Sequence, residues 1–127
     1  MNLERINTGL KESSGEIPYT SEVLESIKSA TGWETSFDIV KIEGVVNSTT
    51  SLELDELLTG LNDEERFRIV IDMQKVEFVS SYGWWTLIEA QKRCKRLNRG
   101  GVVLINTKPE TISALDMVGM SDYFKYL

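Results

Sequence analysis

Apolar residues in this chain switch between two periods, and the alternation predicts the architecture. Runs rich in β-branched and aromatic residues occur at Phe37-Asp38-Ile39-Val40-Lys41-Ile42, Arg68-Ile69-Val70-Ile71-Asp72 and Gly101-Val102-Val103-Leu104-Ile105-Asn106. They have the composition of strands, and the last two are dense enough to be buried on both faces of a sheet. Between the first two, Leu52, Leu54, Leu57, Leu58 and Leu61 fall on one face at helical spacing, behind Thr50 or Ser51 as an N-cap. A second helix is expected from about Tyr82 to Leu97, opened by Ser80-Ser81 and closed by Asn98 and Gly100-Gly101. A third begins near Pro109 and stops at Gly119, and a short amphipathic segment runs from Ser121 to Leu127. Strand, helix, strand, helix, strand, helix with short links predicts a small α/β sheet with helices on at least one face.

The first 19 or so residues are polar, with Ser13-Ser14-Gly15 and Pro18, and are expected to be flexible or loosely docked. Thr20 and Ser21 then offer N-cap oxygens to a short helix carrying Val23, Leu24 and Ile27 and ending near Gly32. A helix of this length is unstable alone and has to pack on something.

Composition narrows the chemistry. With 127 residues, 41% of them hydrophobic, the chain can build one core without metal or disulfide staples. Twenty acidic residues against fourteen basic give a net charge of −6, which argues against nucleic-acid binding and points to protein partners. The absence of histidine excludes imidazole catalysis and imidazole metal ligation. A lone cysteine, Cys94, excludes an intrachain disulfide and a cysteine zinc site, and fits a reducing compartment. No apolar run is long enough to insert in a membrane, and Met1-Asn2-Leu3-Glu4-Arg5 does not lead into a signal peptide. A cytoplasmic location is therefore expected. Neither GxxxxGK[ST] nor GxGxxG occurs, and Glu53, Asp55, Glu56, Asp63, Glu64 and Glu65 read as a solvated face. No cofactor and no enzyme activity are expected.

The informative stretch is Phe78-Val79-Ser80-Ser81-Tyr82-Gly83-Trp84-Trp85, where hydroxyls stand at a strand-to-helix junction. The first helical N–H groups lack internal partners, so they would favour a phosphate on a nearby hydroxyl; plain N-capping by Ser80 or Ser81 explains the serines equally. Trp84, Leu87, Ile88 and Cys94 recur at helical spacing as core. Trp85 lies about 100° round the helix from Trp84. It is either an exposed interaction anchor or covered by the N-terminal segment, whose helix needs a surface to pack on.

Residues from about Phe37 to Tyr126 resemble the STAS domain, particularly the anti-sigma-factor antagonists. The resemblance rests on Ile69-Val70-Ile71-Asp72, on Phe78 to Trp84, on Gly100-Gly101 through Asn106, and on Gly119-Met120-Ser121-Asp122-Tyr123-Phe124. It implies an α/β fold, a STAS-like mixed β-sheet of about four to five strands backed by helices. It also divides the chain into an N-terminal extension, 1–35, and a STAS domain, 36–127. In that family the second serine of Asp-Ser-Ser-Gly is phosphorylated by a partner that is both serine kinase and anti-sigma factor. Aligned on Gly83, Ser80 stands at the family's Asp, Ser81 at its first serine and Tyr82 at the phosphorylated serine. Asn47 occupies a position where the family commonly has Asp, and Trp85 replaces a small residue.

What the resemblance implies is a non-enzymatic regulator that binds an anti-sigma factor/serine kinase in a partner-switching pathway. The alternative is a non-phosphorylated STAS scaffold or accessory subunit of a signalling or transport complex. Ser80, Ser81, Tyr82, Gly83, Trp85 and Asn47 are the expected partner-binding residues, with Ser81 and Ser80 the candidate phospho-acceptors and a homodimer a further candidate assembly. Three explanations of the Tyr82 departure stay open: a degenerate, constitutive binding site, a shifted acceptor at Ser81 or Ser80, or a branch without a kinase cycle.

Overall fold

The sheet of the computed structural model, which describes residues 1–8, 18–34 and 36–127, has five strands in the order β1-β2-β3-β4-β5. The strands are β1 (Asn2–Asn7), β2 (Asp38–Val46), β3 (Arg68–Val79), β4 (Gly101–Ile105) and β5 (Lys125–Tyr126). The α-helices are α1 (Ser21–Thr31), α2 (Ser51–Asp63), α3 (Ser81–Lys95) and α4 (Pro109–Met117). β1 runs antiparallel to β2, while β2 to β5 are mutually parallel. Each parallel step needs a crossover, and α2, α3 and α4 supply them in turn. The expected mixed α/β sheet is the one observed.

Strand periodicity explains why the central runs are unbroken apolar sequence. Ile69 and Ile71 of β3 point to one side, with Val40, Ile42, Val102 and Leu104, against Leu54, Leu58, Leu87, Ile88 and Leu115 of the three crossover helices. Val70 points to the other side, with Ile39, Ile105 and Phe37, against Ile27 of α1. Both faces are covered, so alternation with polar residues disappears. Cys94 is buried in the larger cluster, where burial pushes its thiol pKa up. Buried Gln91 closes the edge of β4 where β5 does not reach. Its amide donates to Val102 O (3.0 Å) and accepts from Val102 N. It thus stands in for a strand partner.

The N-terminal segment departs from expectation. Residues 2–7, read as loose, form edge strand β1, paired from Asn2↔Glu43 to Asn7↔Asp38. Leu3 packs on the larger cluster and Ile6 on the smaller, while Asn2, Glu4 and Arg5 are exposed. An edge strand with so few inward residues leaves a polar composition and a weak signal. Arg5 also reaches Asp38, whose fully buried carboxylate accepts from Arg5 Nε (3.2 Å) and Arg66 Nε (2.7 Å). The Ser13-Ser14-Gly15 stretch lies outside the described residues.

Helix α1 is capped as expected, with Thr20 Oγ1 accepting from Val23 N and Gly32 in the left-handed region at φ 76°. It packs on the sheet face opposite α2 and α3, so it does not cover Trp85 within the chain. Other corrections concern ends. β2 continues past Gly44, whose φ of 103° accompanies a register shift against β3, and β3 runs on to Val79. Leu52 is exposed, leaving Leu54, Leu58 and Leu61 as the buried stripe of α2. α3 stops at Lys95, because Leu97 turns left-handed at φ 60°. The terminal segment is a short 3-10 turn, Ser121–Tyr123, followed by β5.

Candidate functional site

At the C-terminal end of β3 the chain turns straight into α3. Ser80 N–H donates to Val46 O (2.8 Å), tying the turn to the end of β2. Ser80 Oγ then accepts from Gly83 N (3.3 Å), and Ser80 O accepts from Trp84 N (3.0 Å). Ser80 is thus the N-cap, satisfying a donor that the first helical turn leaves open. Gly83 is buried where a Cβ would come within 2.7 Å of Val79 Cγ1 and 2.8 Å of Val46 Cγ1. Only glycine lets the helix approach the strand ends this closely.

The two tryptophans divide as the helical angle requires. Trp84 is 8% exposed and packs on Phe124, ring centroids 6.2 Å apart. Trp85 is 59% exposed and Tyr82 63% exposed. With Ser81 and Met120 they line an open, mostly apolar groove of about 450 Å³. Met117 and Val118, close to Met120 in the chain, are exposed, as is Phe78 before the turn. The result is an apolar surface around the start of α3.

Asn47 enters through the β2–α2 loop. The Ser80–Val46 hydrogen bond places it, next in the chain, beside the start of α3. Its Oδ1 accepts from Thr49 N (2.9 Å) and Thr50 N (3.0 Å), while Thr50 Oγ1 accepts from Asn47 N (2.8 Å) and donates to Val45 O (2.7 Å). Asn47 therefore builds the turn that opens α2, the role expected of Thr50 or Ser51. Ser80, Ser81, Tyr82, Gly83, Trp85 and Asn47 all lie at this one end of the sheet. Sequence reasoning missed Met120 and Phe78, although the Gly119 helix stop beside Met120 was a usable signal.

Asp72 stands apart from this surface. It is buried in β3, opposite Ile105 of β4. Its carboxylate accepts from Tyr19 OH (2.6 Å), Asn106 Nδ2 (3.1 Å) and Gln74 N (3.0 Å). Burial first, then the hydrogen bond to Asp72, push the Tyr19 pKa well above that of a free tyrosine. Asp72 holds the segment before α1 to the sheet and does not face the groove. Among the described residues no cluster of acidic or cysteine side chains could hold a metal ion, and no helix is long and apolar enough to cross a membrane.

With this geometry in hand, the family follows. The family model of the STAS domain matches residues 34–126, and the chain belongs to that family. BtrV of Bordetella bronchiseptica, which carries the name of an anti-sigma factor antagonist, is 27% identical over 86 residues. That match covers 68% of this chain and 73% of BtrV. Solved structures share the fold, two of them anti-sigma factor antagonists. An anti-sigma factor antagonist from Mycobacterium paratuberculosis superposes with a TM-score of 0.62 at 20% identity, covering 71% of this chain and 75% of that one. The anti-sigma factor antagonist SpoIIAA of Bacillus, in its unphosphorylated form, gives 0.56 at 13% identity, covering 72% and 78%.

Proposed function

We propose that this protein is a cytoplasmic, non-enzymatic regulator of the anti-sigma-factor-antagonist kind, which binds an anti-sigma factor/serine kinase through the start of α3. The observation that carries the reading is the exposed Tyr82–Trp85 pair beside Ser81 and Met120. Large aromatics are costly to leave in water and are the usual anchors of protein interfaces. Residues 36–127 form the STAS domain, and residues 1–35 an N-terminal extension that adds an edge strand and a covering helix.

Tyr82 at the family's phosphoserine position disfavours a switch at that residue, since its hydroxyl lies several bonds farther out than a serine's. Ser81 remains as an accessible acceptor, while Ser80 Oγ is engaged as a cap. Titration calorimetry against each purified anti-sigma factor kinase of the host tests the reading. A one-to-one complex that Trp85→Ala weakens by at least about tenfold is expected of an interface anchor. Binding to none of them would leave the scaffold or accessory-subunit reading in its place.

A further inference from the structure

β5 is shorter than the strand it pairs with. β4 spans Gly101–Ile105, while β5 meets only Val103 and Leu104. Beside Gly101 and Val102, no strand among the described residues closes the sheet edge. The Gln91 amide takes the Val102 backbone bonds there and donates a second N–H to Tyr123 O (2.7 Å). With Tyr123 held on Gln91 rather than on β4, a trough is left between the last turns of α3 and the segment leading into β5. Two adjoining cavities of about 480 and 510 Å³ make up the trough, sharing Gln91, Lys95, Asp122 and Tyr123. That is the size range of ligand clefts.

The walls of the trough combine cations with aromatic rings. Five of the fourteen basic residues of this acidic chain stand between positions 92 and 99. Arg93 is turned onto Asn62 Oδ1 (2.9 Å), and Arg99 onto the Phe67 ring and the Arg96 and Arg93 carbonyls. Lys92, Lys95 and Arg96 line the trough and are exposed. Lys92 stands 3.6 Å from Glu89, but the charged ends of Lys95 and Arg96 have no hydrogen-bond or ion-pair partner among the described residues. The Lys95 stem passes over Gly101, its Cε 3.8 Å from where a Cβ would stand, so methylenes cover the strand and the ammonium reaches solvent. Lys125, on the β5 side, donates to Ala30 O (2.8 Å) and keeps two further protons. Tyr123, 41% exposed, and half-buried Trp33 supply the rings, and Asp122 is the acidic side chain on the lining. Basic residues at a helix C-terminus offset the helix dipole. That role accounts for their sign, not for the rings and the unbridged strand edge beside them.

We infer that this trough docks an acidic segment of a partner protein, an extended run of Asp and Glu around one aromatic or large aliphatic residue. Carboxylates would pair with Lys95, Arg96 and Lys125, and the apolar side chain would lie beside Tyr123 and Trp33. Protein interfaces use this combination of complementary charge and aromatic contact. The net charge of −6 repels an acidic segment from the molecule as a whole, which favours docking where the cations are gathered. The trough lies roughly 15 Å along α3 from Trp85 by helical rise, and the inference does not rest on what binds there.

The test is a two-dimensional NMR titration of the full chain with the peptide Asp-Glu-Asp-Phe-Glu-Asp-Glu at constant ionic strength. Saturable shifts at residues 91–96, 101–103 and 122–125 are expected, with a dissociation constant below about 1 mM. Replacing the phenylalanine of the peptide by alanine should weaken binding by at least about fivefold. Lys95→Glu should weaken it by at least about tenfold. Lys75→Glu, the same change of net charge at an exposed residue of β3, should leave the affinity within about twofold. No saturable shift, an equal loss in the two variants, or an equal affinity for the alanine peptide would overturn the inference. Sedimentation with vesicles containing phosphatidylserine is the companion measurement: vesicle binding that Lys95→Glu abolishes, with no peptide binding, would give the surface to a membrane and also overturn it. Kinase binding and its loss in Trp85→Ala are read in a separate experiment, so the two readings can fall separately.

Discussion

Gly83 lies so close to Val46 that a Cβ on it would come within 2.8 Å of Val46 Cγ1 and 3.0 Å of Val46 O. That oxygen also accepts the Ser80 N–H bond. One backbone group of β2 thus fixes both the cap and the first turn of α3, and through them the aim of Ser81, Tyr82 and Trp85.

Gly83→Ala should therefore destabilise the fold although alanine is the better helix former. The propensity gain is about 1 kcal/mol. Against it stand two stiff valine side chains and a carbonyl that must move, an overpacking cost of about 1–3 kcal/mol. A net loss of up to about 2 kcal/mol is expected in urea denaturation followed by circular dichroism. A midpoint equal to or above the parent would show that the helix can lift off without cost.

Tyr19 and Asp72 make a prediction about alkaline pH. The Tyr19 hydroxyl donates to Asp72, and its pKa is raised in the folded chain by burial and by that bond. The folded state then holds the tyrosine proton at pH values where the unfolded state has lost it. The stabilisation is fully present below the ordinary tyrosine pKa of about 10 and is lost as pH rises above it. Melting temperature should fall between about pH 9.5 and 11, and Tyr19→Phe should flatten that slope. At neutral pH Tyr19→Phe should cost about 1–2 kcal/mol, because among the described residues Asp72 keeps only its Asn106 and Gln74 donors. Parallel slopes in the two proteins would assign the alkaline loss to Cys94 and Tyr126, whose pKa values burial also raises.

Most of the fold is legible in the sequence because burial on two faces writes itself into the central strands. The runs at 69–71 and 102–105 admit no other reading once three helical patterns separate them. The junction at 78–85 is legible in part: a capping serine and the core position of Trp84 follow from helical spacing, while Trp85 keeps two readings until the packing of α1 on the other sheet face is known. Edge strand β1 is not legible, since Leu3 and Ile6 are too few to mark a period and its pairing is a long-range event with β2. The same holds for the side taken by α1. Val23, Leu24 and Ile27 state that the helix must pack, and Tyr19 and Trp33 help set where, but either Trp85 or the free sheet face could have received it. The close approach of Gly100 to Phe67 joins segments more than 30 residues apart, which no local pattern encodes.

The tryptophan pair separates stability from binding. Trp84→Ala removes a buried ring packed at a tilt on Phe124 and should cost about 3–5 kcal/mol. Trp85→Ala should change stability by less than about 0.5 kcal/mol. Acrylamide quenching checks the exposure directly: Trp85→Phe should remove most of the quenchable emission, leaving Trp84 and the half-buried Trp33. Strong quenching that survives this substitution would place Trp85 under cover in solution, as a dimer through this face would do.

Ser80 and Ser81 should behave oppositely. Ser80 Oγ is spent on Gly83 N–H, so Ser80→Ala should cost about 1 kcal/mol and make the site harder to phosphorylate only indirectly. Ser81, exposed as the first residue of α3, has no capping bond to lose, and Ser81→Ala should be neutral within about 0.5 kcal/mol. A phosphate on Ser81 would meet the positive end of α3, a favourable term of about 0.3–1 kcal/mol, so modification should not unfold the junction. It would, however, place nearly two negative charges on the apolar groove with Tyr82, Trp85 and Met120, and so weaken a partner that buries those rings. Incubation with the cognate kinase and mapping by mass spectrometry should find the phosphate on Ser81, lost in Ser81→Ala and retained in Tyr82→Phe. Phosphotyrosine at 82 would refute the shifted acceptor, and serine phosphate confined to other segments would refute it too and leave the groove a constitutive binding face.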